Sequence, residues 1–352
     1  MTAIILLNWN GYKDTIECLA SLFACTKQDF VWVVVDNGSE NESVQEITSF
    51  LNAIGKDFSV VKQGETSSSV LKAGQGVVYC LKENYGFAKG NNMGIALVEQ
   101  LTQAGEKPSH YLLQNNDTLV EPDFLEKLET FAREHPQYVA LTPQIRQMKN
   151  RNLIGNCGGR LLFGLRIYHY ENKPCSMVPS KHYLPISLIT GCSFFVQRAL
   201  LGFPDAWLQK KSEHYAAFPH SETEASDVFS NRFFFGEEDF DFSLRMQEEG
   251  KKMACVLNSV VYHKDGASRK NRIPTGMYIH HLNRFVDVRQ HWNPFKFFVW
   301  KLVYMPYIAF ALFFRDKVSF KKILRYQKNL WKESLKTEGM DRELFLKRIR
   351  SL

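Results

Sequence analysis

The chain of 352 residues has no cysteine framework to staple it. Its seven cysteines (Cys18, Cys25, Cys80, Cys157, Cys175, Cys192, Cys255) are odd in number, scattered and without a C-x-x-C pair. That pattern argues against a disulfide scaffold and a zinc ribbon, and predicts a reducing compartment. No basic n-region precedes the short apolar run Ala3–Leu7, so the chain is expected to stay in the cytosol. Neither a G-x-x-x-x-G-K-S/T loop nor a G-x-G-x-x-G turn occurs, which leaves no generic phosphate-binding fingerprint. Net charge is missing from most of the chain as well. The net +7 resides between Arg315 and Leu352, where twelve Lys/Arg face five Asp/Glu, and the preceding 314 residues balance to zero. A neutral body with a basic appendage argues against a nucleic-acid partner. Finally, the most apolar stretch, Phe295–Phe314, is interrupted by Lys296, Lys301 and Pro306, so a membrane span is not favoured.

What is present fits a globular chain with a substantial core, 45% apolar and 23% charged, able to hold one large domain or two. Ala3–Leu7 is a continuous apolar run ending in Asn8-Trp9-Asn10-Gly11, as a buried parallel strand feeding a loop would be. Asp14 is placed to cap a helix whose apolar face is Ile16, Leu19, Ala20 and Phe23. Phe30–Val35 repeats the pattern, ending in Asp36-Asn37-Gly38-Ser39, and a helix with Val44, Ile47, Phe50 and Leu51 follows. Strand, helix, strand, helix predicts an α/β fold with a mainly parallel sheet and right-handed crossovers. Glu65–Gly76, rich in Ser and Gly, reads as a loop, and the glycines of Asn84–Gly94 as a close-approach turn before a helix reaching Leu101. Further strands are expected at His110–Gln114, Tyr138–Ile145, Leu188–Val196 and Met253–Val261, a hairpin at Gly155–Ile167, and a long loop at Phe203–Ser230.

Two polar clusters stand out. The apolar run at His110 stops at Asn115-Asn116-Asp117, and Pro122 then opens a helix over Asp123–Arg133. At the carboxyl end of a strand such a cluster is a candidate for holding a metal or a sugar; Asn and Asp also make helix caps and Asx turns. The second cluster is Glu237-Glu238-Asp239-Phe240-Asp241, directly after Phe233-Phe234-Phe235. Acids at a helix start complement the dipole. Phe on both sides also suggests a carboxylate tuned for proton transfer.

In order along residues 3–268, Asn8-Trp9-Asn10, Asp36-Asn37-Gly38-Ser39, Asn84-x-Gly86-Phe87-Ala88-x-Gly90-Asn91-Asn92-x-Gly94, Asn115-Asn116-Asp117, Thr190-Gly191, Glu238-Asp239-x-Asp241 and His263-x-x-Gly266-x-Ser268 resemble a family 2 inverting glycosyltransferase, of the branch that includes bacterial rhamnosyltransferases. The resemblance implies a GT-A fold: a Rossmann-like, mainly parallel sheet flanked by helices, with a C-terminal helical extension. Residues 1–120 would be the nucleotide-sugar-binding half, 121–268 the acceptor-binding and catalytic half, and 269–352 the extension. It implies that Asp36 contacts the donor base, with Asn8, Trp9, Asn10 and Asn91 beside the nucleotide and Gly191 also in the donor site. Asn115-Asn116-Asp117 would stand for the D-x-D of the family, Asp117 binding Mg²⁺ or Mn²⁺ and the donor diphosphate, with Asn115 in place of the first acid. Asp239 would be the catalytic base, seconded by Glu238. His263 would be either a further metal ligand or a structural histidine at a strand end. Glu237 and Asp241 read as helix-start acids or acceptor contacts.

The expected partners are a nucleotide-sugar donor, dTDP-rhamnose or a UDP-sugar, and a glycan or lipid-linked acceptor in bacterial surface polysaccharide synthesis. A nucleotide-sugar-binding or scaffold protein without catalysis is the alternative. The tail from Arg315, with Phe320, Ile323, Leu324, Leu330 and Trp331 among its lysines, suits either an interfacial helix on anionic lipid or helices packed on the catalytic body. Peripheral association with the inner face of the cell membrane is expected, and truncation after about residue 290 should release the protein.

Overall fold

The two apolar runs near the N-terminus become the middle of one large sheet. A computed structural model describes residues 1–65, 70–202, 227–264, 273–337 and 339–351. Strand β1 (Thr2–Asn8) lies between β2 (Val31–Asp36) and β5 (His110–Asn115), parallel to both, with Asn8 opposite Asp36 and Leu7 opposite Asn115. The three polar strand ends are thereby set at one level. β4 (Gly76–Cys80) and β3 (Phe58–Lys62) extend the parallel half outward. Neither strand was read from the sequence, and together they flank the expected loop at Glu65–Gly76. The expected loop at Glu65–Gly76 is described only in part, residues 66–69 falling outside the described residues.

On the other side of β5 the sheet becomes mixed. β12 (Ser193–Gln197) runs antiparallel to β5 and to β7 (Tyr138–Gln147), β7 is parallel to the long β13 (Lys252–His263), and β11 (Tyr183–Ile186) closes that edge. The short β6 (Thr118–Val120) and β8 (Ile154–Asn156) pair with β13 and β7. The expected hairpin is present as a separate ribbon of β9 (Gly159–Leu162) and β10 (Leu165–Tyr168). β12 is shorter than the expected Leu188–Val196, because the Ile189 and Gly191 N–H groups donate to Ser243 Oγ and Asp239 Oδ2 and not to a strand. Most of the expected 203–230 loop, residues 203–226, lies outside the described residues.

Helices α1 (Tyr12–Phe23), α2 (Ser43–Ala53) and α4 (Phe124–Glu134) cover one face, where Leu19, Leu22, Ile47, Leu51 and Leu125 pack in one buried cluster with Ile4, Leu6 and Val34 of the sheet. Helix α1 begins at Tyr12 after Gly11, so Asp14 sits inside the first turn and pairs with Lys264 at 2.6 Å where a cap was expected. Helix α3 (Phe87–Leu101) lies on the opposite face and starts within the glycine-rich run. Only Gly86 precedes it. A Cβ on Gly94 would come 2.7 Å from Val35 Cγ2 and one on Gly90 2.7 Å from Leu7 Cδ1. These two glycines let a helix lie close on the sheet, and the close backbone approach read from the sequence is to strands β1 and β2.

After α5 (Glu238–Glu248) and β13 come helices α6 (Ile273–His291), α7 (Pro294–Phe310, continued by a π turn to Arg315), α8 (Phe320–Ser334) and α9 (Arg342–Ser351). They do not form a core of their own. Phe233, Phe240 and Leu244 from around α5, with Leu161 of β9, share one buried cluster with Leu282, Phe285, Trp300, Tyr304, Leu330 and Met340. Phe234 N donates to Met340 O at 2.6 Å and Met340 N to Arg232 O at 2.7 Å, so the segment before α9 clips directly onto the chain leading into α5.

Candidate active site

The carboxyl ends of β1, β2 and β5 are joined by one chain of hydrogen bonds. Asn116 Nδ2 donates to Thr15 Oγ1 at 2.9 Å and Thr15 Oγ1 donates to Asn8 Oδ1 at 2.8 Å. Asn8 Nδ2 donates in turn to Asp36 Oδ1 at 2.7 Å. Ser39 completes the turn by donating Oγ to Asp36 Oδ1 at 2.6 Å and N–H to Oδ2 at 3.1 Å. Asn8 is fully buried and uses its amide on Thr15, Asp36 and Ser39, so it sets Asp36 in place from behind. Asn10, in the left-handed region at φ 53°, accepts the Glu40 N–H and holds the same turn. Trp9 between them is 51% exposed and turns a large apolar ring to solvent. Asn91 is buried in α3 and donates to Phe87 O. Its neighbour Asn92 belongs to the motif quoted from the sequence but was given no role there. It anchors the segment leading to α5, accepting from Val228 N and Phe229 N and donating to Phe229 O.

Asp117 and His263 meet. The turn Asn116-Asp117 between β5 and β6 brings Asp117 Oδ1 to 3.2 Å from His263 Nε2 at the end of β13, both side chains about a fifth exposed. The β6–β13 pairing sets Thr118 opposite His263 and causes this meeting across 146 residues of sequence. Lys264 N donates to Asp117 O at 3.0 Å, while its ammonium bridges Asp14 and Glu17 of α1. An oxygen and an imidazole nitrogen aimed at each other at a half-open strand end are a suitable donor pair for a divalent cation that takes its remaining ligands from phosphate or water. Gly266 and Ser268, the rest of that motif, lie outside the described residues.

Asp239 is tied to the same end of the sheet through the start of β12. Asn115 N donates to Cys192 O at 2.9 Å, and one residue earlier Gly191 N donates to Asp239 Oδ2 at 3.3 Å. The start of β12 thus links the Asn115 turn to the second acidic cluster. Within that cluster each acid has a different environment. Asp239 is gripped by Arg166 of β10, Nη2 2.8 Å from Oδ1 and Nη1 3.2 Å from Oδ2. Glu238 is buried, accepts the Gly236 N–H at 2.6 Å, and burial pushes its carboxyl up to about 8. The desolvated acid expected from the flanking phenylalanines is therefore Glu238, while Asp239 keeps an ionic partner.

Glu237 occupies the left-handed region at φ 74°, a conformation costing about 1 kcal/mol or more for a residue with a Cβ. Its partners hold it there. Arg284 takes both oxygens at 3.0 Å, Arg166 Nη2 is 3.0 Å from Oε2, and His280 Nδ1 is 3.1 Å from Oε1. Against the cost of burial, Arg166 and Arg284 hold the Glu237 carboxyl well below the usual carboxylate range. Asn283 Nδ2 adds hydrogen bonds to the Phe235 and Gly236 carbonyls. His280, Asn283, Arg284, Asp287 and His291 recur on one face of α6 at helical spacing, a polar stripe that the sequence reading passed over.

Asp241 lies deeper, paired with Arg232 at 2.7 Å, Arg245 at 3.0 Å and His291 at 3.2 Å. Asp241, Asp287 and His291 present ligating atoms within 4.8 Å of one another. Two guanidinium groups already neutralise this group, and burial together with the adjacent Asp241 pushes the Asp287 carboxyl well above its usual range. It reads as an internal ion network that fastens α6 to α5. Glu237 and Asp241 thus shape the site from behind the helix start.

The model of the family described as Glycosyl transferase family 2 matches residues 3–201. No curated protein matches in sequence. Among solved structures the fold is similar to S. aureus TarS 1–349, with TM-score 0.52 and 14% identity over 99% of this chain and 80% of that one. It is similar to the same protein in complex with UDP, with TM-score 0.51 and 15% identity over 91% of this chain and 76% of that one. GalNAc-T7 with UDP, GalNAc and Mn²⁺ gives TM-score 0.53 and 12% identity over 99% of this chain and 56% of that one. At these identities the likeness is one of fold.

Proposed function

The chain belongs to glycosyl transferase family 2, and from that membership we propose that it moves a sugar, with inversion, from a nucleoside-diphosphate donor to a glycan or lipid-linked acceptor of a bacterial surface polysaccharide. The single observation that carries the reading is the convergence of Asp36, the Asp117–His263 pair and Asp239 on one end of the sheet through β1, β2, β5 and β12. The exposed Trp9 ring and the Asp36 turn supply a flat apolar face and a hydrogen-bonding carboxylate, which suits a pyrimidine base. That TarS has been seen with UDP and GalNAc-T7 with UDP and Mn²⁺ supports a uridine or thymidine donor and a divalent ion. dTDP-rhamnose remains the first donor to test.

Asp117 and His263 would hold Mg²⁺ or Mn²⁺, which when bound offsets the charge of the departing diphosphate. The residues of the chain do the rest. Arg166 and the Gly191 N–H fix the Asp239 carboxylate, leaving a lone pair to receive the proton of the acceptor hydroxyl as it attacks the anomeric carbon. Attack opposite the leaving group inverts the configuration. Glu238, kept uncharged by burial near neutral pH, spares Asp239 a second negative neighbour.

The test separates catalysis from binding. Asp239→Asn should lower transfer at least a hundredfold while nucleotide-sugar affinity, read by calorimetry, changes by less than about threefold. Transfer at the wild-type rate would remove the base assignment. Donor binding without transfer by the wild-type chain, over a panel of acceptors, would favour the non-catalytic alternative.

A further inference from the structure

Helix α7 with its π turn, Pro294–Arg315, is apolar on both sides but packed on only one. Phe297, Trp300, Tyr304, Ile308 and Leu312 point inward and are buried. On the other side Phe298, Leu302, Val303, Phe310, Phe313 and Phe314 stand 49–63% exposed. A helix that is hydrophobic all round is ordinarily covered all round, and an uninterrupted aromatic and aliphatic face of this length marks an interaction surface. The lysine that interrupts the stretch in sequence does not interrupt this face. Lys301 turns inward, its ammonium 3.6 Å from the centre of the Trp331 ring, and Lys296 stays at the N-terminal end over Trp292.

We propose that this outer face is a membrane seat, with α7 lying in the plane of an anionic bilayer surface without crossing it. The charge beside it selects the occupant. Helix α8, which follows directly, exposes Lys321, Lys322, Arg325, Lys328 and Lys332, interleaved with exposed Phe320, Leu324 and Trp331. Basic side chains among exposed aromatics suit acidic headgroups over acyl chains, with the lysine stems extended along the boundary. A second copy of the chain would set these cations against themselves.

Length alone would allow a crossing, since 22 residues rise about 33 Å. The inner face forbids it. Tyr304 Oη accepts from Arg284 Nη1 at 2.9 Å, Gln327 Nε2 donates to the Met305 carbonyl at 2.6 Å, and Lys301 sits among the buried aromatics. Spanning would strip these contacts and place Lys301 in hydrocarbon. In the plane of the membrane they survive, and they join the seat to the catalytic loop: Tyr304 touches Arg284, Arg284 holds Glu237, and Arg166 bridges Glu237 to Asp239. That this places the site to work on a lipid-borne acceptor rests on the function proposed above. The seat itself does not.

Flotation of the full chain with vesicles tests the seat without donor or acceptor. Binding is expected to vesicles about one-third phosphatidylglycerol, and weaker binding to phosphatidylcholine alone. The triple variant F298S/L302S/F310S should lose affinity for the anionic vesicles about tenfold or more while its melting temperature and its donor hydrolysis are kept. K321E/K322E/R325E should lose the preference for anionic lipid. Lys317→Cys should add one thiol that reacts with an impermeant reagent supplied outside the vesicles, and protection of that added thiol would show a crossing and overturn the in-plane seat. The proposal also fails if the wild-type chain does not float. It fails again if the triple variant binds as wild type, or if the variant turns a dimer into a monomer with vesicle binding unchanged.

Discussion

Arg166 holds Asp239 with two nitrogens and Glu237 with one, Nη2 lying 2.8 Å from Asp239 Oδ1 and 3.0 Å from Glu237 Oε2. The arginine comes from the β9–β10 ribbon, more than seventy residues before the acids, and its side chain is only 14% exposed. A bidentate guanidinium fixes a carboxylate in orientation as well as in charge. The acid expected to take a proton from the acceptor is thus immobilised before any substrate arrives, and the same arginine supports the left-handed Glu237 on which the turn depends.

Replacing this arginine should therefore affect both stability and rate. Arg166→Ala leaves the buried Glu237 with one guanidinium fewer and should cost about 2–4 kcal/mol of stability, read by urea unfolding. Arg166→Lys keeps the charge without the fork and should recover most of that stability while kcat stays roughly tenfold or more below wild type. Full activity in Arg166→Lys would show that only the charge matters.

For Asp117 and His263 the contact itself makes the prediction. Asp117→Asn and His263→Ala should each raise the Mn²⁺ concentration needed for half-maximal transfer by about tenfold or more, leaving the fold intact. A wild-type rate undiminished by a chelator would remove the metal from both residues. If only Asp117→Asn responds, His263 is the structural histidine.

Glu238 predicts a pH dependence whose sign follows from its raised folded value, about 8 against an ordinary value of 4.5. A carboxyl that holds its proton more tightly when folded contributes stability in full below the ordinary value, and loses it as pH rises toward and through 8. Glu238→Gln keeps the acceptor for the Gly236 N–H and carries no charge. Denaturant titrations should find the variant gaining on wild type by about 4 kcal/mol between pH 4.5 and 9. Parallel stability curves would mean that Glu238 is solvated in solution.

Truncation after about residue 290 is expected from the sequence to release the protein from the membrane. The structure predicts a further consequence, because Trp300, Tyr304 and Met340 cover Phe233, Phe240 and Leu244 around helix α5. The shortened chain should lose more than about 4 kcal/mol, bind the dye ANS and show no transfer even with a soluble acceptor. A truncated protein that folds cooperatively and turns over would show that the C-terminal helices are dispensable.

Part of this was legible in the chain because it is local. Ala3–Leu7 and Phe30–Val35 are apolar runs with polar ends, and such runs become buried parallel strands wherever they occur. The same locality explains what went unread. β3 exposes much of its length and β4 is only five residues long, so neither carries a strong period. The glycines at 90 and 94 looked like a loop since only the sheet beneath α3 shows why a helix needs them.

The sequence by itself determined the family, the alternation of strand and helix over the first 53 residues, and which short segments end in polar side chains. Tertiary structure alone decided what those side chains meet. Pairing of β6 with β13 put Asp117 on His263, the β9–β10 ribbon delivered Arg166 to Asp239, and the depth of α5 under α6 left Glu238 without an ion partner among the described residues while giving Glu237 and Asp241 two arginines each. None of these is a local property. A carboxylate takes its charge state and its role from the groups that surround it in space, and four acids within five positions were sent to four different environments.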